Sequence, residues 1–295
     1  MSLQQSAMQP IVATRRIAGG PRLKPLATGA IYLALAVLSV FFLMPFVWLV
    51  STSLKSPGEI FGASWLPQRL MWSNYATVFA DTDFLLWTRN SFTVAILGMV
   101  TVAYSSALIA YPFARMSFPL KRILFALVLA TMMLPGAVTM VPTFLIWRKL
   151  GLVNTLYPLW ASNLFGSAFY IFMLRQFFLT IPNDLKDAAM VDGASHFRTF
   201  RSVMLPLVTP ALIAVMLFEF IAKWNDYITP LIYLNRADLY TLPLGLATFT
   251  QSQGFQTRWD LWMASSVLMT LPILALFFVG QRFFIQGIAT TGLKG

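Results

Sequence analysis

Residues 182–210 read PNDLKDAAMVDGASHFRTFRSVMLPLVTP, and this polar interruption between two long apolar runs decides how the rest of the chain is read. Asp184 is placed to cap a helix whose third residue is Asp187, an acidic variant of the capping box with both carboxylates at the positive end of the helix dipole. Ala188 and Ala189 keep one face of that helix low, and Gly193 lets the chain bend or lets another backbone approach closely. Ser195 then caps a second helix, on which Phe197, Phe200 and Met204 form an apolar stripe at i, i+3 and i+7 beside Arg198 and Arg201. Pro206 ends that helix. The stretch predicts a bent pair of short helices outside the apolar segments, with a shallow surface able to receive another protein. The plain alternative is a solvated linker.

Composition sets the surroundings of this loop. Of 295 residues 58% are hydrophobic and only 11% charged, with mean hydropathy +0.72, which suits a polytopic membrane protein and is too little charge to cover a soluble core of this length. The chain has no cysteine, so disulfides, thiolate metal sites and thiol nucleophiles are excluded. With His196 as its one histidine, it offers no metal-ligand cluster and almost nothing for a membrane enzyme. A net charge of +11 raises the question of nucleic acid, but the charges sit beside apolar segments, as orienting charges do, so no nucleic-acid partner is expected.

Six segments are long enough to cross about 30 Å of hydrocarbon, which takes roughly 20 helical residues. They cover 29–53, 90–112, 121–147, 156–178, 207–234 and 261–285, giving an all-α, six-span membrane fold. With the N-terminus inside, the inner segments hold Arg15, Arg16, Arg22, Lys24, Arg115, Lys121, Arg122, Arg175, Lys186, Arg198, Arg201, Arg282 and Lys294. The outer ones hold Lys55, Arg69, Arg89, Arg148, Lys149, Arg236 and Arg258. This bias places both termini and the 182–206 loop in the cytoplasm. The domain plan is a cytoplasmic tail over 1–28, a membrane domain over 29–285 with a first external loop at 54–89, and a cytoplasmic tail over 286–295. The first apolar run continues too far for a cleaved signal peptide.

Two spans carry polar or helix-breaking residues. Pro135-Gly136 and Pro142 predict a kinked third span, facing either a pathway or simply its neighbours. The fifth span, 207–234, contains Glu219, Lys223 and Asp226. Each charge costs roughly 2.5 to 3.5 kcal/mol at mid-membrane against gains of roughly 0.3 to 0.6 kcal/mol per apolar residue, so alone this helix would barely insert. Its polar groups must face helices or water. Glu219 and Lys223 stand at i and i+4 in the favourable order and form a candidate structural pair. Trp224, Asn225, Asp226 and Tyr227 offer an aromatic face, an amide, a carboxylate and a phenol in little more than one turn, a set that suits a sugar on a translocation pathway; the same residues could instead hold a subunit interface or gate. In the first external loop, Trp65, Trp72 and Tyr75 are read as an interfacial aromatic belt.

The string DAAMVDGASHFRTFRSVMLPLVTP resembles the EAA loop of bacterial ABC importer permeases: Asp187, Ala188, Ala189, Gly193, Leu205, Pro206 and Pro210 fall on its pattern in register. Asp187 stands where the family usually has Glu, keeping the charge but losing one methylene of reach. The segments WLPQRLMWSNYATVF, VPTFLIWRKLGLVNTLYPL, FYIFMLRQFFLTIP, WNDYITPL, TLPLGLATF and QGIATTGLKG are likewise similar to the carbohydrate-uptake branch of that family. The resemblance implies a permease subunit of a binding-protein-dependent sugar importer in the cytoplasmic (inner) membrane. Its coupling helix, formed by Asp187, Ala188, Ala189, Asp192, Gly193 and Ala194 with Pro206 behind it, would dock on an ATP-binding subunit present in two copies. ATP and Mg would be held by that partner, with no cofactor on this chain, and a second homologous permease and an external solute-binding protein would complete the assembly. The chain itself has no G-x-x-x-x-G-K-[ST] motif. The competing reading is an ion-coupled secondary transporter using Glu219, Lys223 or Asp226.

Overall fold

The computed structural model describes residues 25–251 and 258–291, with the side chains of 28–249 and 258–281 among them. Of the two tails expected to be cytoplasmic, 1–24 and 292–295 lie outside these residues, as do the charges at Arg15, Arg16, Arg22, Lys24 and Lys294 and the side chain of Arg282. Every regular element among the described residues is helical.

The chain divides into two compact units at Trp48/Leu49. The first is dominated by α1, Pro25–Ser53, which is apolar around its whole circumference, the pattern of a helix surrounded by lipid or by other helices. The second begins with the last turn of α1. There Asn74 donates through Nδ2 to the carbonyls of Ser53 and Lys55, both at 2.9 Å, and the buried Lys55 ammonium donates to Ser64 O at 2.6 Å. The bond to Ser53 O satisfies a carbonyl that the helix end leaves open, and the other two tie down the segment after it. Tyr75 shares a 2.7 Å bond with Ser53 Oγ, so it is tied inward, unlike the exposed Trp65 and Trp72 of the expected belt.

After α2 (Ser73–Asp81) comes α3, Phe84–Arg115, the central helix of the second unit. Its buried face runs Ala95, Gly98, Val102, Ala103, Ser106, Ala107 and Ala110, small side chains that let α7 (Ala168–Thr180) and α11 (Thr209–Trp224) lie close along it. A Cβ at Gly98 would stand 3.2 Å from both Asn163 Nδ2 and Lys223 Cγ, so this position holds three segments together by having no side chain. Over the first two turns of α3, Trp87 donates to Ala237 O, Asn90 to the carbonyls of Asp238 and Tyr240, and Ser91 Oγ accepts from Leu242 N. The 237–242 connection is thereby pinned before α13, Leu242–Gln251. Gly245 on α13 lies so close to Trp87 that a Cβ would be 2.2 Å from its ring.

Three helices are long and apolar enough to cross a membrane, or up to six if each bent pair is one span. The expected third span is broken rather than kinked: α4 (Lys121–Thr131) and α5 (Gly136–Lys149) meet at 98°, with the turn at Met132–Pro135 and Pro142 inside α5. Pro135 in extended conformation forces this, since it neither donates to the preceding turn nor lets its neighbour stay helical. The fourth span runs from α6 (Tyr157–Trp160) through a 3₁₀ turn, Ala161–Phe165, to α7, with Gly166 at φ +76° between them. The fifth is interrupted as well. Helix α11 stops at Trp224 and α12 spans Ile228–Tyr233, so the reading of 207–234 as one continuous helix is corrected. The sixth is part of α14, Trp259–Thr291.

Candidate functional site

The polar stretch 182–210 folds as α8 (Asn183–Val191), α9 (His196–Thr199), a π-helical turn (Phe200–Met204) and α10 (Leu205–Leu207) before α11 begins. Its first expected detail is corrected. The cap position of α8 is Pro182, and Asp184 lies within the first turn without a side-chain cap bond. It still faces the positive helix end. Asp187 pairs with Lys186 at 3.2 Å instead of closing a capping box.

The other end is well determined. Gly193 N donates to Met190 O at 3.1 Å and Ala194 N to Ala189 O at 3.0 Å, the reciprocal pair of a Schellman turn. That turn needs a left-handed residue, and Gly193 supplies it at φ +80°. Ser195 then caps α9 as expected, accepting from Arg198 N at 3.3 Å. Pro206 does not end the helix; the bend of 78° falls two residues later, at Val208. A proline is accepted there because the wide π turn precedes it and Pro206 opens the next short turn.

The two faces of this loop differ. Phe200 and Met204 are buried against Tyr111 of α3 and Phe178 of α7, with Phe200 5.4 Å from Tyr111 ring to ring. Leu185, Met190, Val191 and Phe197 are exposed, Val191 at 87%, beside exposed Asp187, Ala188, Asp192 and Gly193, while Ala189 and Ala194 are half-buried. The loop thus presents an exposed apolar set rimmed by acids. Phe197 therefore leaves the stripe it was expected to share with Phe200 and Met204.

Sequence reading missed the residue that holds the loop in place. Arg115, the last residue of α3, donates to the carbonyls of Phe178 and Ile181 and to Asn183 Oδ1. One guanidinium thus closes the end of α7 and fixes the start of α8, using its fork of donors. Only its place at the end of an apolar segment hinted at a role.

The charged groups of α11 lie in a second cluster. Glu219, 8% exposed, accepts from Asn163 Nδ2 at 2.6 Å, and Lys223 Nζ stands 3.9 Å from it. Tyr170 places its hydroxyl against the same carboxylate. Asn163 Nδ2 also reaches Gly98 O at 3.1 Å, and Ser105 donates to Asn163 O at 2.7 Å. The i, i+4 pair is present as anticipated, but the shortest bond to Glu219 comes from an asparagine on the 3₁₀ turn, a residue that carried no signal in sequence.

Trp224, Asn225, Asp226 and Tyr227 do not form one helical surface. The Trp224 indole is fully buried, stacked on Phe220 at 5.6 Å, and donates to Met269 O at 3.1 Å. Exposed Asn225 folds back on Ile221 O at 2.8 Å, and Asp226 Oδ1 accepts from Thr229 N at 3.1 Å to open α12. Tyr227 packs in a cluster with Leu159, Tyr233 and Leu244. Among the described residues no group of three or more His, Asp or Glu could hold a metal ion.

Broken apolar helices surround a polar cluster and run on into a short-helix pair, an arrangement that the comparisons with known proteins place among membrane permease subunits. Residues 103–290 match the family described as the binding-protein-dependent transport system inner membrane component, and the chain belongs to that family. It is 32% identical to the arabinooligosaccharides transport system permease protein AraQ of Halalkalibacterium halodurans over 230 residues, 78% of this chain and 81% of the relative. It is 32% identical to the diacetylchitobiose uptake system permease protein NgcG of Streptomyces coelicolor over 256 residues, 86% of this chain and 85% of that one. Its fold is that of a chain in the crystal structure of a bacterial ABC transporter involved in the import of the acidic polysaccharide alginate: TM-score 0.79, 23% identity, covering 88% of this chain and 96% of the other.

Proposed function

We propose that this chain is one permease subunit of an ATP-driven importer that carries a sugar across the cytoplasmic membrane. The observation that carries this reading is the exposed face of α8 and the turn after it, apolar and acid-rimmed on a rigid base, in a chain whose relatives are named as sugar permeases. In this reading Asp187, Ala188, Ala189, Asp192, Gly193 and Ala194 dock on an ATPase subunit, and Pro206 belongs to the stiff segment behind them. Two such ATPase subunits, holding ATP and Mg, close on nucleotide and draw the docked loops of this chain and a homologous second permease together. Arg115 passes that movement to α3 and α7, so the membrane helices rock as a body. Sugar delivered by an external binding protein then enters, and hydrolysis resets the assembly.

Both termini and the 182–206 loop lie in the cytoplasm in this reading. The breaks at 132–135 and 225–227 border the pathway. Asn225 and Asp226 are the groups with polar surface to offer a sugar hydroxyl, while Trp224 supports them from within the core and Tyr227 from the neighbouring cluster. Glu219 and Lys223 hold helices together.

Purification of the tagged chain in mild detergent, followed by identification of its partners and ATP-dependent uptake in proteoliposomes, tests the proposal. The expected result is recovery of a P-loop ATPase and a second permease, with uptake that requires ATP and a binding protein. Recovery of this chain alone, with uptake driven by an ion gradient, would overturn it.

A further inference from the structure

The chain contains no acidic residue between Asp83 and Asp184, although Arg115, Lys121, Arg122 and Arg175 all fall in that stretch. Three of these gather where α3 turns into α4. Lys121 Nζ donates to Met116 O at 2.7 Å, Arg122 is exposed, and Arg175 lies over the Phe125 ring at 4.4 Å while donating to Phe113 O at 3.1 Å. None of them has a carboxylate partner among the described residues. The turn encloses an open depression of about 490 Å³ lined by Met116, Ser117, Phe118, Lys121, Arg122 and Ile123.

The rim of this depression is apolar. Leu120, Ile123, Leu124 and Leu127 are all exposed, Leu120 in left-handed backbone at φ +61°. A bulky residue in that conformation is uncommon and marks a constrained turn. Uncompensated basic groups beside a leucine-rich helix surface, where a span begins, match the two halves of a charged lipid: phosphate for the bases, acyl chain for the leucines. We propose that the 116–123 turn binds the headgroup phosphate of an anionic phospholipid. Arg115 ends the helix leading into this turn and clamps the start of α8, so a bound lipid braces the base on which the exposed loop stands.

The test is binding of phosphatidylglycerol to the full-length purified chain, measured by native mass spectrometry and by titration in detergent, with phosphatidylcholine and inorganic phosphate as comparison ligands. Phosphatidylglycerol should bind and the other two should not. Arg122→Gln should weaken it about fivefold and the pair Lys121→Gln with Arg122→Gln about thirtyfold, since each basic group near an anionic surface carries a factor of that size. Lys121→Arg, which keeps the charge, should bind as the native chain does and guards against a fold defect in the glutamine variant. Arg148→Gln with Lys149→Gln, a basic pair at the far end of α5, should change nothing. Equal binding of both lipids, an unchanged Lys121/Arg122 double variant, an equal loss in the Arg148/Lys149 variant, or saturation by inorganic phosphate alone would each overturn the proposal.

Discussion

Replacing Gly193 by Asn and, separately, by Asp isolates what the exposed turn does. No atom lies within 4 Å of a Cβ built at Gly193, so the first side-chain atom of either variant has open space. The backbone cost is also small for both, because Asn and Asp visit left-handed conformations that cost other L-residues roughly 1 to 2 kcal/mol. The two variants are nearly isosteric and differ by one charge. If this turn is desolvated against an ATPase, an unpaired carboxylate there loses several kcal/mol. At about 1.4 kcal/mol per tenfold, that is a loss of a hundredfold or more in association. Gly193→Asn should therefore keep most ATP-dependent uptake in proteoliposomes, and Gly193→Asp should abolish it while inserting and folding normally. Equal transport by the two variants would refute docking at this turn. Equal loss, with faster hydrogen exchange at the Ala194 amide, would show that the defect is in the turn itself.

Gly245→Ala would put a methyl group 2.2 Å from the Trp87 ring, and overpacking of this kind should lower stability by about 1 to 3 kcal/mol, read as a reduced melting temperature in detergent. Asn163→Leu leaves the Glu219 carboxylate buried without its 2.6 Å donor and should cost about 1 to 3 kcal/mol or more; adding Glu219→Leu should recover part of the loss, a non-additivity measurable by thermal unfolding. Arg115→Met frees two carbonyls and Asn183 at once, so amide exchange at the start of α8 should accelerate and uptake should fall while the second permease stays bound. Asp226→Ala should lower uptake without loss of ATPase association; Asp226→Ser, which can still accept from Thr229 N, separates the cap from the carboxylate.

Local chemistry was the legible part of this chain. The Ser195 cap, the need for glycine at 193 and the disruption at Pro135-Gly136 each depend on a few neighbouring residues, and each is present. Where local rules competed, sequence reading chose wrongly: Pro182 took the cap position from Asp184, and Pro206 was absorbed by the π turn before it. A kink was expected in the third span and a continuous helix in the fifth, because length and apolarity set the requirement for crossing, yet the third is broken by 98° and the fifth stops at Trp224 and restarts at Ile228. Polar groups at the breaks and helix ends pair with distant residues, as Asn163 on the 3₁₀ turn meets Glu219 and the end of α7 meets Arg115. Pairings across more than fifty residues leave no periodic trace in the sequence. An asparagine on a short turn looks the same whether it meets water or a buried carboxylate.

The Glu219 cluster also bears on how the protein is made. Apart from Lys223 on the same helix, the residues gathered there, Asn163 with Gly98 behind it and Tyr170, all precede Glu219 in the chain. When α11 leaves the ribosome carrying its own Lys223, the groups outside it that hydrogen-bond the Glu219 carboxylate have already been synthesised, and chains assemble from the N-terminal side as they emerge. A helix too polar to partition into lipid by itself is thus offered a finished receptor, and membrane integration of the fifth span becomes a docking step governed by the second and fourth.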